Sequence, residues 1–238
     1  MYEHLKERIQ ELAAKHKVDI IDMRRHLHAH PELSFQEFNT SQFIGKTLKK
    51  MGIEVQEGIA KTGLMVLIKG KNPDKRTIAL RADIDALPIQ EQNDVPYKSQ
   101  VDRVMHACGH DVHTSSLIGT AKLLDELKEE FEGTVKLIFQ PAEEKPPGGA
   151  LAMIQAGALK NPAPASILGQ HVSSLIPIGQ VGLTQGMIMA STDELHITVK
   201  GKGGHAAFPH RAIDPVLMAA HIIVARSEER RVGKECRS

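Results

Sequence analysis

"MHACGHDVH", residues 105–113, holds three histidines, one cysteine and one aspartate in nine positions. "TSSLIGTAKLLDELKEE" (114–130) follows directly, with Leu117, Ile118, Ala121 and Leu124 on one face of a helix. Residues 135–139 are then a short apolar run that reads as a buried strand. A cluster of metal-competent donors, a helix and a buried strand in succession predict an α/β unit with chemistry at a strand–helix junction. The cluster itself can be a redox cysteine, a structural zinc knuckle or half of a catalytic metal site.

Outward from this stretch the alternation continues. Residues 3–29 carry Leu5, Ile9, Leu12, Ile20, Met23 and Leu27 at helical spacing, and Pro31 ends that pattern in "HPELSFQE" (30–37). A second helix is predicted from about Asn39 to Met51, stopped by Gly52. Strands are predicted at 64–69, 77–81, 167–169 and 180–183, and a helix at 150–156. The expected architecture is an α/β sheet covered by helices on both faces. After Gly186 the texture changes: "DELHITVKGKGG" alternates like a half-exposed strand, and a helix opens near Asp214. A second domain is therefore expected to begin at 187, after a first domain over 1–186.

The last segment, "RSEERRVGKECRS" (226–238), breaks the apolar pattern of Val216, Leu217, Ala220, Ile223 and Val224. It resembles the in-frame translation of a sequencing-library adapter at all thirteen positions, and is set apart as a non-native tail. The second domain then covers 187–225 and is expected to be truncated. Without the tail Cys108 is the single cysteine, which excludes an internal disulfide and a cysteine-rich zinc knuckle.

Composition excludes other classes. The formal net charge is +1, or about −1 without the tail, so nothing draws the chain toward polyanions. Trp is absent and only eight residues are Phe or Tyr, which argues against platforms for single-stranded nucleic acid. The longest apolar runs, such as "LMVLI" (64–68), are too short to span a bilayer, and the charged start "MYEHLKERIQ" is no signal peptide. A cytoplasmic protein that binds neither nucleic acid nor membrane is expected.

Four further stretches carry donors. "FQPAEE" (139–144) ends a strand in two carboxylates, so that Glu144 can ligate an ion while Glu143 handles a proton; a solvated surface pair is the alternative. "GQH" (169–171) ends another strand in His171. Open α/β sheets bind ligands beyond the carboxyl ends of their strands, so Cys108, His110, Glu144 and His171 form a soft-to-hard donor set for one or two divalent ions. In "RADIDALP" (81–88), Asp83 and Asp85 lie on one side of a strand end and can orient ligands, or form a turn before Pro88. "GKGGHAAFPH" (201–210) places His205 in a glycine-rich turn, where an imidazole can stabilise an oxyanion if its domain closes over the site. The triplet His26, His28, His30 is read as structural, because alternate spacing on a helix scatters side chains. The helix start just after Cys108 is expected to favour its thiolate.

"RRHLHAHPELSFQE", "RADIDALPI", "MHACGHDVH", "QPAEE" and "GGHAAFPH", in this order, resemble the metal-dependent aminoacylase and carboxypeptidase superfamily over roughly residues 15–225. The resemblance is closest to its amidohydrolase branch of hippurate hydrolases, N-acyl-amino-acid deacylases and plant auxin-conjugate hydrolases. It implies an α/β catalytic domain interrupted by an α+β lid that also forms a dimer. It implies two divalent ions, zinc or manganese with nickel or cobalt as other candidates, held by Cys108, His110, Glu144 and His171. Glu143 becomes the general base, and His205 the residue lent by the lid. Where the wider superfamily has a His-x-Asp ligand motif this chain reads Asp83-Ile84-Asp85, which leaves both aspartates behind the ligands as supporting carboxylates. The implied reaction is hydrolysis of the amide bond of a small N-acyl amino acid. A dipeptidase or carboxypeptidase of the same superfamily and a non-catalytic metal-binding module are the alternatives. The family's last ligating histidine comes from a C-terminal return to the catalytic domain, so this chain alone is expected to be inactive. A nucleobase deaminase is excluded for want of a P-C-x-x-C pair.

Overall fold

A computed structural model describes the backbone over residues 2–186 and 195–235, with side chains over 3–186 and 195–226. It separates into two units, Met1–Ile178 and Gly179–Ser238.

The first unit is built on a five-stranded mixed sheet in the order β1-β2-β4-β3-β5. The strands are β1 (Val55–Ile59), β2 (Gly63–Lys69), β3 (Thr77–Asp83), β4 (Thr134–Gln140) and β5 (Ile167–Gly169). β2 pairs antiparallel with β1 and β4, whereas β3 runs parallel to both β4 and β5. Parallel neighbours require crossovers, which here contain α3 (His110–Glu126) between β3 and β4, and α4 (Gly149–Gln155) between β4 and β5. The three parallel strands thus deliver Asp83, Gln140 and Gly169 to one end of the sheet.

Period-two alternation divides the strand side chains between two cores. Leu64, Val66, Ile68, Ala82, Val135, Leu137 and Phe139 pack with Ile44 and Leu48 of α2 (Phe38–Lys50) and with Leu117, Ile118 and Ala121 of α3. Met65, Ala79 and Ile138 pack on the other face with Met153 of α4 and Ala158. The long helix α1 (Tyr2–Ala29) adds Met23 to the first core and lies on α3, where Gly119 admits Ile20: a Cβ there would stand 2.6 Å from the Ile20 Cδ1. β4 also carries a fully buried lysine. Lys136 Nζ donates to the carbonyls of Ala158 and Lys160, at 2.9 and 2.8 Å, so its head satisfies the turn after α4 without a carboxylate.

Several boundaries differ from expectation. β1 is unannounced in the sequence: "VQEGI" shows no apolar alternation because it is an edge strand with three exposed central residues. Residues 180–183 form no strand, and 195–200 form none either, despite their alternating pattern. A strand needs a partner to complete its ladder, and in this region the described residues supply only the bridge Lys202–Ile213. The stretch 187–194, where the second domain was expected to begin, lies outside the described residues. In the second unit α5 (Pro215–Glu235) opens where Asp214 caps it, its carboxylate accepting from Val216 N at 2.9 Å. Among the described residues no helix is long and apolar enough to cross a membrane.

Candidate metal centre

α3 begins at His110, four residues earlier than its apolar periodicity predicts, so the donor motif itself forms the first helical turn. Gly109 precedes it with φ +90°, and a Cβ there would lie 2.4 Å from Val172 Cγ2. Only glycine reconciles that backbone with the loop after β5. The tight approach brings Cys108, on one side of Gly109, against His171, with Sγ and Nε2 3.3 Å apart.

Each ring is oriented by its far nitrogen. His110 Nδ1 faces the Asp85 carbonyl oxygen at 3.0 Å and Asp85 Oδ1 at 3.3 Å, so it carries the proton and leaves the Nε2 lone pair free. His171 Nδ1 donates to Val172 O at 2.7 Å, which leaves Nε2 for Cys108. On the third strand end, Asp85 Oδ2 accepts from Glu144 N at 3.0 Å and from Ser34 Oγ at 2.6 Å. Asp85 therefore couples the positions of His110 and Glu144.

His110 Nε2 and Glu144 Oε1 are both buried without a hydrogen-bond partner. They lie 3.7 Å apart, too far for a hydrogen bond. Two such donors on one tetrahedral zinc ion would stand roughly 3.4 Å apart, and a sulfur–nitrogen pair roughly 3.6 Å. The 3.7 Å between His110 Nε2 and Glu144 Oε1 fits a shared cation better than a direct bond, while the 3.3 Å between Cys108 Sγ and His171 Nε2 suits either a thiol hydrogen bond or a shared cation. Three ligand groups meet at His110 among the described residues: Cys108 with His110 and His171, His110 with Glu143 and Glu144, and Asp83 with His110 and His113, the atoms of each lying within 4.8 Å of one another.

The electrostatics tell the same story. Burial, reinforced by Glu144, Glu143 and Asp83, pushes the Cys108 thiol up to about 12. Burial and the surrounding carboxylates thus act against the thiolate that the helix start is expected to favour, so that ionisation of the thiol depends on a cation taking the place of its proton. His110 is raised, because Asp85, Asp83 and Glu144 together outweigh its burial. Asp83 is buried, yet its hydrogen bond from His113, with His110 and Arg81 beside it, holds it down to about 2. Glu143 is exposed at its edge of the cluster and is raised by partial burial and by Glu144.

The structure therefore brings together Cys108, His110, Glu143, Glu144 and His171, with Asp83 and Asp85 behind them. His205 lies in the second unit, where it is exposed and its Nδ1 accepts from Ala207 N at 3.1 Å. Sequence reasoning passed over His113, the last residue of the opening motif. Its Nδ1 donates to Asp83 Oδ1 at 2.6 Å and its Nε2 accepts from Val172 N at 3.0 Å. Although it lies within ligand reach of His110, both its nitrogens are engaged, and it acts as a strut between β3, α3 and the loop bearing His171. The signal was its i, i+3 spacing from His110 on the same helix. His26 and His28 near the end of α1 and His30 just beyond it divide as scaffold residues do: His26 stacks on Phe43, His30 bonds back to His26 O, and His28 points into the protein.

Comparison with known proteins agrees with this geometry. The model of Peptidase family M20/M25/M40 matches residues 79–234. N-acetylcysteine deacetylase of Bacillus subtilis (strain 168) is 50% identical over 205 residues, covering 86% of this chain and 53% of that protein. N-acyl-L-amino acid amidohydrolase of Geobacillus stearothermophilus is 44% identical over 218 residues, covering 92% of this chain and 58% of that protein. The crystal structure of the Bacillus subtilis YXEP protein, described as a dinuclear metal binding peptidase from the M20 family, superposes with a TM-score of 0.67 at 48% identity. That likeness covers 71% of this chain and 47% of YXEP. The chain spans about half the length of the curated relatives it matches. With the family model matched over residues 79–234 and the donors gathered at one end of three parallel strands, the chain belongs to Peptidase family M20/M25/M40.

Proposed function

We propose that the whole protein hydrolyses the amide bond of small N-acyl amino acids at a centre of two divalent metal ions. One observation carries this reading: the two buried, unpartnered donor atoms His110 Nε2 and Glu144 Oε1 face each other beside Cys108 and His171. When bound, such ions polarise the carbonyl and lower the pKa of water toward neutrality. Cys108, His110, Glu144 and His171 hold them. Glu143, whose carboxyl is exposed next to Glu144, takes the proton of the attacking water and passes it to the departing nitrogen. Asp85 and Asp83 fix the ligating face of His110 and the strut His113. The role of His205 at the carbonyl oxygen and the lid and dimerisation role of a domain over 187–225 rest on the family resemblance; the division from a catalytic domain over 1–186 rests on the change of sequence pattern after Gly186, a non-native tail over 226–238 on its likeness to an adapter translation, and a cytoplasmic location on composition. The thiolate–imidazole–carboxylate donor set suits zinc, and manganese, nickel and cobalt remain within its range.

The test uses a reading frame extended to the length of the relatives. Glu143→Gln should lower turnover of N-acyl amino acids by about 10²–10⁴-fold with metal content unchanged, whereas Glu144→Gln should lose metal. Equal metal loss in both, or substantial activity in Glu143→Gln, overturns the assignment. Preference for dipeptides over N-acyl amino acids would replace the substrate class with that of a dipeptidase.

A further inference from the structure

Behind the strand ends sits a carboxylate that the proposed chemistry does not use. Glu37 is fully buried, at 0% exposure. It precedes α2 as its N-cap residue, yet its side chain makes no capping bond. Glu32 serves that helix instead, accepting from Asn39 N at 3.2 Å and Thr40 N at 2.8 Å. Freed from the helix, the Glu37 side chain turns inward. Its Oε1 accepts from Phe35 N at 2.9 Å and from Ala142 N at 2.8 Å, and its Oε2 accepts from Thr62 Oγ1 at 2.8 Å.

Ala142 is the residue immediately before Glu143 and Glu144, and its φ is +49°, a conformation that L-residues enter at a steric cost. Something must hold it there. Its carbonyl accepts from Gly149 N at 2.9 Å, where the returning loop is so close that a Cβ on Gly149 would stand 2.0 Å from Pro141 O. Its buried amide has Glu37 as partner. One residue pair further along, Asp85 holds Glu144 N and is itself held by Ser34. Ser34 and Glu37 both come from "HPELSFQE" (30–37), so one short segment braces the turn at two points.

We propose that Glu37 is a positioning residue of the metal centre: its carboxylate locks the left-handed turn at Ala142 and thereby aims Glu144 Oε1 at His110 Nε2. The proposal rests on the reading of the cluster as a metal centre. A residue that only joined three segments would affect folding and leave the geometry of bound metal alone, so the decisive readout is the metal's own coordination.

The probe is Co²⁺, added to the 238-residue chain with Cys236→Ser so that Cys108 is the only thiol. Glu37→Ala should weaken Co²⁺ binding by about 10–100-fold, the usual consequence of losing an outer partner. It should also shift the cobalt d–d bands while the Cys108 thiolate-to-cobalt charge-transfer band persists. Glu37→Gln should restore both affinity and spectrum, because its amide oxygen can accept the two backbone N–H groups and Thr62 can reverse to accept its NH₂. An unaltered affinity and spectrum in Glu37→Ala, with only a lower thermal midpoint, overturns the proposal. Should Glu37→Ala not fold, Glu37→Asp keeps the charge but withdraws it from Ala142. Faster hydrogen exchange at the Ala142 amide with weaker Co²⁺ binding then supports the proposal, and faster exchange with unchanged binding overturns it. Failure to bind Co²⁺ by both the unsubstituted chain and the reading frame extended to the length of the relatives refutes the metal-centre reading itself, and is seen before any variant of Glu37 is made.

Discussion

His110 and His28 are both almost wholly buried, at 1% and 4% exposure, and each lies among carboxylates. They differ in what the second ring nitrogen meets. His28 Nδ1 is 2.8 Å from Asp111 Oδ2 and its Nε2 is 3.1 Å from Glu91 Oε1. Both nitrogens can donate only in the doubly protonated ring, and the Asp111 hydrogen bond is the main reason that His28 titrates above its ordinary value. His110 has one nitrogen fixed by Asp85 and the other facing donor atoms that cannot bond to it. Asp111 Oδ1 and Arg24 Nε beside His28 also lack a hydrogen-bond partner among the described residues, so the distinction lies in the rings: both nitrogens of His28 meet a carboxylate, whereas the free lone pair of His110 faces another donor atom. His106 stands between these cases. Neither of its nitrogens has a partner, burial holds it down to about 4, and it enters none of the ligand groups found among the described residues.

The contrast can be broken by substitution, beginning where all three ligand groups depend on one ring. His110→Ala should weaken zinc binding by calorimetry by more than the roughly 100-fold upper range for an outer partner. A smaller loss would mean that the bound ions do not share His110. Asp85→Ala, which frees the His110 ring and the Glu144 amide together, should cost about 10–100-fold in zinc affinity while far-ultraviolet dichroism stays unchanged. Wild-type affinity in that variant would leave Asp85 as a turn former only.

The scaffold half should behave in the opposite way. His28→Leu leaves two buried carboxylates short of a partner and should destabilise the metal-free chain by about 3 kcal/mol, near the lower end of that range because Arg24 and Ser99 still serve Asp111 and Glu91. Zinc affinity of the folded chain should not change. Its pH dependence is fixed by the raised pKa. The contribution of His28 is complete below its unfolded value of about 6.5 and fades as pH rises through the folded value. The gap in urea midpoint between wild type and His28→Leu should therefore narrow as pH rises. A gap that is constant or widens contradicts a charged His28.

The helices and four of the five strands were legible because their periodicity is local: α2, α3, β2, β3, β4 and β5 fall within a few residues of their predicted positions. So were the donors at strand ends, since motif and strand adjoin in sequence. β1 was illegible because an exposed edge strand has no apolar alternation, and the alternating stretch at 195–200 misled because alternation cannot supply a partner strand. The support behind the ligands was illegible for a different reason. Ser34 reaches Asp85 across 51 positions and Glu37 reaches Ala142 across 105, contacts that exist only once α1, β3 and β4 have assembled. "HPELSFQE" was legible as the end of a helix and as part of the family resemblance, but the bracing roles of Ser34 and Glu37 were not until their partners were in place.

The central claim is that Cys108 shares an ion with the histidines and Glu144. X-ray absorption at the zinc edge, on the Cys236→Ser chain loaded with zinc, tests it most directly. The account predicts a sulfur neighbour at about 2.3 Å alongside nitrogen and oxygen neighbours at about 2.0–2.2 Å, with the sulfur lost in a further Cys108→Ser variant. A shell of nitrogen and oxygen alone, unchanged by Cys108→Ser, would contradict it.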